Sequence, residues 1–224
     1  KTIIVVSAMG KETDELLRLA EDVSSKRPGR EMDMLITAGE RKAMSLLCMA
    51  LHDLGVEADS FTGSQAGFLT DTNHQNAKIV EVKPERIHVA LSEGRVPVVG
   101  GSQGVSVDND VTFLGRGGSD TTAVALAASL EATVCEIFTD VDGIYTADPR
   151  VVPEAQVMDE IGYEEMMELA NHGAKMHPRS IELGLVFRVP IYVASSFNDT
   201  PGTLIHDGAD KKDMEDRIKV TGIA

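Results

Sequence analysis

Residues 112–122 read Thr-Phe-Leu-Gly-Arg-Gly-Gly-Ser-Asp-Thr-Thr and set three glycines around one arginine. Glycine permits positive φ and a close approach of the backbone to a ligand, and the Ser-Asp-Thr-Thr run is typical of a helix N-cap. Backbone N–H groups at such a turn attract anions, and Arg116 adds a full positive charge. The stretch therefore predicts an anion-binding loop. An ordinary turn before an Ala-rich helix is the alternative, since the glycines match neither the Walker nor the Rossmann spacing.

The composition indicates a globular protein with small-molecule partners. The 224 residues are 42% hydrophobic and 25% charged, which suffices for one sizeable core or two small domains. The chain has no apolar run of about 18 residues, so we expect no membrane span. It also lacks an N-terminal basic segment followed by an apolar one, so we expect no signal peptide and a cytoplasmic location. A formal net charge of −15 without a basic stripe argues against binding to nucleic acid.

Neither the cysteines nor the histidines indicate a metal site. Cys48 and Cys135 fall inside apolar stretches, so we expect reduced core thiols. The six histidines show no pair spacing typical of zinc, and no residue is assigned as a metal ligand.

Apolar runs and helical periodicities alternate along the chain. Strands are predicted at 2–6, 56–61, 77–82, 96–100, 133–138, 190–194 and 203–205. Helices are predicted at 11–21, 30–54, 84–93, 123–130, 163–171 and 180–187. A loop is predicted over 63–76 and a small hairpin over 105–113. This alternation through short loops predicts an α/β sandwich with a largely parallel sheet.

Two further places invite a ligand. Gly39 lies inside a helical pattern, where it weakens the helix by ~1 kcal/mol relative to alanine, so we expect a ligand or a neighbouring helix to approach it closely. Glu40 would then point at the same place, although a solvated helix face is the alternative. Residues 139–145, Thr-Asp-Val-Asp-Gly-Ile-Tyr, directly follow a predicted strand, where open α/β sheets hold ligands such as nucleotides.

Four segments in order closely resemble aspartate kinases of the amino acid kinase superfamily. They are residues 5–10, residues 30–35 with 37–40, residues 114–120 and residues 139–150, to which residues 61–67 and 173–179 add support. The resemblance covers nearly the whole chain. It implies a three-layer αβα fold, with a largely parallel central sheet, that binds ATP and L-aspartate. It also implies transfer of the γ-phosphoryl group to the aspartate β-carboxylate, which gives 4-phospho-L-aspartate for lysine, threonine and methionine biosynthesis.

The resemblance implies two sets of site residues. The aspartate contacts would be Ser7, Thr13, Glu40, Arg116, Gly117, Gly118 and Ser119. The nucleotide contacts would be Thr139, Asp140, Tyr145, Arg150 and Lys175. Glu40 suits the α-ammonium group, and Arg116 can grip a carboxylate through its bidentate fork. Lys175 would reach the phosphates, and Asp120 would orient phosphate-binding lysines, so that Lys175, Asp120 and Arg116 form the expected catalytic set.

The chemistry that the resemblance implies requires no general base. A β-carboxylate with a reference pKa of about 3.9 is already ionised at pH 7, so catalysis reduces to alignment and to neutralising phosphate charge. Mg²⁺ is expected with ATP, bound mainly through phosphates and water.

The resemblance also implies a domain organisation. Residues 1–205 would form the kinase domain, with its N-terminal strand and phosphate loop missing before Lys1. Residues 206–224 would form a charged linker and the start of a truncated ACT regulatory region. We expect a homo-oligomer or assembly with a regulatory subunit, and the feedback effector stays open. The chain departs from the family pattern at Ser102, where an aromatic residue is more usual, and around Lys175, where it is one residue shorter.

Two other functions remain open at this point. A sibling kinase acting on glutamate, acetylglutamate, carbamate or a nucleoside monophosphate would share the fold and a similar glycine loop. A non-catalytic fragment or subunit that only binds nucleotide is the second alternative.

Overall fold

The computed structural model of the protein describes residues 1–208. The chain divides into two compact units, Lys1–Ser129 and Leu130–Ala224. Most of the predicted linker and regulatory start at 206–224 lies outside the described residues.

The first unit contains seven strands and five helices within Lys1–Ser129. Its strands are β1 (Ile4–Val6), β2 (Ala58–Phe61), β3 (Phe68–Thr70), β4 (Ile79–Val82), β5 (Val96–Gly100), β6 (Gln103–Ser106) and β7 (Val111–Phe113). Its helices are α1 (Glu12–Val23), α2 (Gly29–Ile36), α3 (Ala38–Asp53), α4 (Glu85–Ser92) and α5 (Gly118–Ser129).

A parallel sheet in the order β1-β5-β2 supports the first unit. Its central strand β5 is a continuous apolar run, as expected for a strand covered on both faces, and Val98 and Val99 are fully buried. Val98 packs with Met44 and Cys48 of α3 in one core cluster. Both cysteines are unpaired and buried, which confirms the expectation of core thiols.

The second sheet of this unit has the order β4-β3-β6-β7. Strands β6 and β7 pair antiparallel, which confirms the predicted hairpin, and Asn109 adopts φ 63° in its turn. Strand β3 lies inside the predicted loop 63–76, which is therefore wrong in that part. Only three residues long, β3 forms because Phe68 is fully buried and because strands on both sides pair with it.

The predicted single helix over 30–54 is also wrong, because α2 ends at Ile36 and α3 begins at Ala38. Between them, the Thr37 hydroxyl donates to the carbonyl oxygen of Asp33 at 2.8 Å. The close approach expected at Gly39 is real: a Cβ there would lie 2.9 Å from the Ala8 Cβ, so the loop after β1 and the start of α1 press against α3. Helix α3 therefore starts against the carboxyl end of β1.

The second unit contains β8 (Cys135–Thr139), β9 (Glu160–Ile161), β10 (Ile191–Ser195) and β11 (Thr203–Ile205). It also contains α6 (Tyr163–Asn171) and α7 (Pro178–Phe187). The strands form a mixed sheet in the order β8-β10-β11-β9, with Ile191, Val193 and Ile205 fully buried. The two-residue strand β9 was not predicted, since it carries no periodic pattern. His177 caps α7 by accepting from the Arg179 N–H, and Pro178 is its first residue.

Five of the eight strand pairings within residues 1–208 are parallel, which agrees with the predicted α/β class with a parallel-rich sheet. No helix in this described part of the chain is long and apolar enough to cross a membrane.

Candidate active site

A cavity of about 610 Å³ opens in the first unit beyond the carboxyl ends of β1 and β5. It is lined by every residue that the sequence assigned to the acceptor, together with Asp120: Ser7, Thr13, Glu40, Arg116, Gly117, Gly118 and Ser119. Its wall also contains residues that sequence reasoning did not assign: Asp14, Leu17, Ile36, Gln75, Ser102, Phe113 and Gly115.

Glu40, in the first turn of α3, is the buried charge of this cavity. Only 2% of the residue is exposed, so the alternative of a solvated helix face is wrong. Burial raises the pKa of its carboxyl, while hydrogen bonds from its own backbone N–H and that of Ala8 lower it. Its Oε2 has no hydrogen-bond partner within residues 1–208. A buried carboxylate oxygen without a partner is costly, so Glu40 suits a cationic group entering the cavity.

The glycine-rich loop carries Arg116 at the cavity wall. Gly115 and Gly117, on either side, have φ of 84° and 66°, a conformation that other residues adopt only with strain. The Arg116 side chain is exposed, and no ion pair engages its guanidinium among the residues that the structure describes. The guanidinium group of Arg116 and the carboxyl group of Glu40 therefore line the same cavity.

Helix α5 begins at Gly118, five residues before the predicted start at 123. The Ser-Asp-Thr-Thr run is therefore the first turn of the helix and not its N-cap, which corrects the sequence interpretation. Thr121 and Thr122 donate their hydroxyl hydrogens to the carbonyl oxygens of Gly117 and Gly118, each at 2.8 Å. These bonds engage carbonyl oxygens, so they cap none of the backbone N–H groups at the start of the helix.

Two serines and two glycines interlock where β5 meets α5. A Cβ on Gly118 would lie 2.5 Å from Ser102 Oγ, and a Cβ on Gly101 would lie 2.8 Å from Ser119 Oγ. The hydroxyls of Ser102 and Ser119 are 3.2 Å apart, and Ser102 adopts φ 58°. Ser102 lines the cavity, although it was not assigned to the site. Its departure from the family pattern was the feature of the sequence that pointed to this position.

In the second unit, Lys175 and Asp140 lie together just beyond the end of β8. Lys175 Nζ is 2.5 Å from Asp140 Oδ1, and the Thr139 hydroxyl donates to the same carboxylate oxygen at 3.1 Å. The bond from Lys175, followed by that from Thr139, lowers the pKa of the Asp140 carboxyl. Three of the five predicted nucleotide residues are therefore neighbours.

Tyr145 and Arg150, the other two predicted nucleotide residues, have different partners. The Tyr145 hydroxyl donates to Asp142 Oδ2 at 3.0 Å, and Asn198 donates to the other oxygen of Asp142 at 2.8 Å. Both bonds, that from Asn198 first, lower the pKa of Asp142. Arg150 forms an ion pair with Asp148 at 2.8 Å, and its side chain is 89% exposed. No hydrogen bond between residues up to 208 joins Arg150 to Lys175 or Asp140.

A metal ion has no ready-made protein site in the described part of the chain. Among residues 1–208, no group of three or more His, Cys, Asp or Glu side chains is arranged to hold one.

Residues 1–195 match the amino acid kinase family, and the chain belongs to that family. More particularly, the chain is 56% identical to the aspartokinase of Mycolicibacterium smegmatis and 55% identical to that of Corynebacterium glutamicum, over 99% of its length in both cases. It spans about half the length of these curated relatives, 53% of each. The resemblance to aspartate kinases is confirmed.

Solved structures agree with this assignment. The aspartate kinase from Synechocystis superposes with a TM-score of 0.81 at 45% identity, over 94% of this chain and 35% of that one. The aspartokinase III of E. coli in complex with aspartate and ADP superposes with a TM-score of 0.78 at 33% identity, over 87% of this chain and 44% of that one. These matches confirm the predicted amino acid kinase fold.

Proposed function

We propose that the protein containing this chain transfers the γ-phosphoryl group of ATP to the β-carboxylate of L-aspartate. The observation that carries the proposal is the buried Glu40 carboxylate, whose Oε2 lacks a partner within the described residues, in a cavity that Arg116 also lines. An amino acid with a second carboxylate supplies an ammonium group that can pair with Glu40 and a carboxylate that can pair with Arg116. The identity to aspartokinases and the aspartate complex of the E. coli enzyme support the choice of aspartate.

In this proposal, the residues of the first unit align the acceptor. Glu40 accepts hydrogen bonds from the α-ammonium group, and Arg116 holds a carboxylate through two parallel N–H donors. The positive end of the α5 helix dipole favours negative charge at the same wall. Since the acceptor carboxylate is already ionised at neutral pH, orientation and charge neutralisation supply the catalysis.

We assign the nucleotide to the second unit. Lys175 would exchange the Asp140 carboxylate for phosphate oxygens. Thr139, Tyr145 and Arg150 would contact the nucleotide. Asp120 would orient phosphate-binding lysines. The ADP in the E. coli complex supports nucleotide use. Mg²⁺ bound through phosphates and water fits a chain whose described residues offer no three-carboxylate cluster. When bound, the ion neutralises phosphate charge. We further propose a cytoplasmic homo-oligomer, or assembly with a regulatory subunit.

The acceptor identity can be tested directly in the natural full-length protein. Incubation with ATP, Mg²⁺ and L-aspartate should release ADP and form an acyl phosphate that hydroxylamine traps as the hydroxamate. L-Glutamate, acetylglutamate, carbamate and a nucleoside monophosphate, each supplied in place of aspartate, serve as controls. Faster turnover of any of these than of aspartate would refute the acceptor. Nucleotide binding without turnover of any acceptor would favour a non-catalytic role.

A further inference from the structure

Asp33 of α2 is a fully buried carboxylate that the proposed mechanism does not use. Its Oδ2 accepts hydrogen bonds from His74 Nδ1 at 2.7 Å and from the Phe113 backbone N–H at 3.0 Å. Its Oδ1 accepts from the Gln75 backbone N–H at 2.9 Å. One side chain thus joins α2 to the loop between β3 and β4 and to the end of β7.

The segments that Asp33 holds form one wall of the acceptor cavity. Gln75 and Phe113 both line it. A Cβ on Gly115 would lie 3.1 Å from the Gln75 carbonyl oxygen, so the loop containing Gln75 packs directly against the glycine-rich loop. The next residue along that loop is Arg116. The position of Arg116 therefore depends on two backbone segments that share Asp33 as an anchor.

The energetics favour an anchor over ordinary core packing. Burying a carboxylate is costly unless it is hydrogen-bonded, and three donors offset that cost at Asp33. Such charge-assisted bonds are stronger and more directional than apolar contacts. Gln75 also has φ 67°, a strained value for a residue other than glycine, and its N–H is one of the three donors.

We propose that Asp33 is a positioning residue for the acceptor site. Its carboxylate fixes the loop at residues 74–75 and the start of the glycine-rich loop at Phe113, and through them it sets where Arg116 meets the substrate carboxylate. This inference rests on the proposed function, since it assigns Asp33 to the binding of aspartate and not to that of ATP.

The test is a comparison of Asp33→Asn with Asp71→Asn in the natural full-length protein. Asp71 tests loss of a carboxylate that caps the same loop, because its Oδ1 accepts two backbone N–H bonds, from Asn73 and Lys78, but it is only partly buried and does not reach β7. We expect Asp33→Asn to raise the KM for aspartate roughly ten-fold, as for loss of a charge-assisted bond, and to leave the KM for ATP within about two-fold. Asp71→Asn should change neither constant by more than about two-fold.

A double-mutant cycle separates positioning from general destabilisation. If Asp33 acts through Arg116, Asp33→Asn should add little to the aspartate KM of Arg116→Ala. Additive effects, or equal losses for aspartate and ATP, would overturn the inference. Should Asp33→Asn fail to fold, His74→Ala removes one of the three donors and should raise the aspartate KM alone, by roughly three-fold. An unchanged KM in that variant would overturn the inference as well.

Failure of the proposed function is distinguishable from failure of this inference. Absence of aspartate turnover by the wild-type protein would overturn the proposed function. Amide hydrogen exchange of residues 113–118, measured without substrate, would then decide the role of Asp33. Faster exchange in Asp33→Asn than in Asp71→Asn supports the anchor, and equal exchange overturns it.

Discussion

The charged residues of the two candidate binding regions differ in burial and in ion pairing. In the first unit, Glu40 is 2% exposed and its Oε2 has no partner within residues 1–208. In the second unit, the side chains of Asp140 and Lys175 are 64% and 44% exposed and form an ion pair. If the proposed function holds, the first region keeps a buried carboxylate oxygen unpaired among the described residues of the free protein, whereas binding at the second region would replace an existing ion pair. The two regions should therefore respond differently to mutation and to pH.

The largest effect expected from this contrast is that of Glu40→Ala on aspartate. Loss of one member of a buried charge pair costs about 2 to 5 kcal/mol, so kcat/KM for aspartate should fall roughly 30- to several-thousand-fold. Steady-state kinetics with each substrate varied in turn measures it, with the exposed Glu31→Gln as control. A comparable fall for Glu31→Gln, or normal aspartate kinetics in Glu40→Ala, would contradict the assignment.

Arg116→Ala should have a smaller effect, because the guanidinium is exposed in the free protein. Loss of a charge-assisted contact of about 1.5 to 3 kcal/mol corresponds to roughly 10- to 150-fold in kcat/KM for aspartate. Arg116→Lys should recover little, since an ammonium group lacks the bidentate fork. Arg95→Ala, which removes an exposed arginine paired with Asp59, is the matched control. Full recovery in Arg116→Lys would argue against bidentate recognition.

Lys175→Ala should affect the other substrate. The exposed pair with Asp140 contributes little to stability, so the variant should fold normally. Its KM for ATP should rise roughly ten-fold, since a charged phosphate contact is lost, while the KM for aspartate stays within about two-fold. Parallel titrations of ATP and aspartate provide the measurement. A selective change in the aspartate constant would place Lys175 outside the nucleotide site.

The smallest effect concerns stability and has a defined pH dependence. Burial raises the pKa of Glu40 above its ordinary value, so the folded protein binds this proton more tightly than the unfolded chain. The favourable contribution is complete below the unfolded pKa and is lost as the pH rises through the folded pKa. Glu40→Gln should therefore raise the Tm at pH 7 by about 2 to 4 °C per kcal/mol relieved.

The comparison across pH is the critical control for that variant. The gain in Tm from Glu40→Gln should shrink as the pH is lowered toward the ordinary glutamate range, because the wild-type carboxyl is then protonated too. Thermal unfolding of both proteins between neutral and acidic pH tests this. A gain that is independent of pH would show that burial of the charge is not its source.

The sequence predicted best what depends on local chemistry. Arg116 was identified from the glycine-rich loop itself, whereas the site role of Glu40 came from the resemblance to aspartate kinases, and both residues line the cavity. The contacts of Asp33 could not be found in this way. Its hydrogen-bond partners lie 41, 42 and 80 residues away in sequence, and only the fold brings them together.

Element boundaries failed where tertiary contacts prevail over local preference. The start of α5 was misplaced because Ser-Asp-Thr-Thr has the composition of a cap, whereas in the structure this run is already helical and Gly118, the first residue of α5, packs closely against Ser102. The long helix over 30–54 was predicted without its break, since Thr37, the residue between α2 and α3, itself keeps helical φ and ψ. The two-residue strand β9 carries too little pattern to be recognised.

The interlock of Gly101 and Ser102 with Gly118 and Ser119 constrains how this wall can evolve. Each glycine faces the serine of the other pair, so neither glycine can gain a side chain while the opposite serine keeps its present position. An inherited change at one glycine must therefore follow a change at the facing serine. The four positions are expected to drift through generations as a linked set, and the order of their substitutions is restricted.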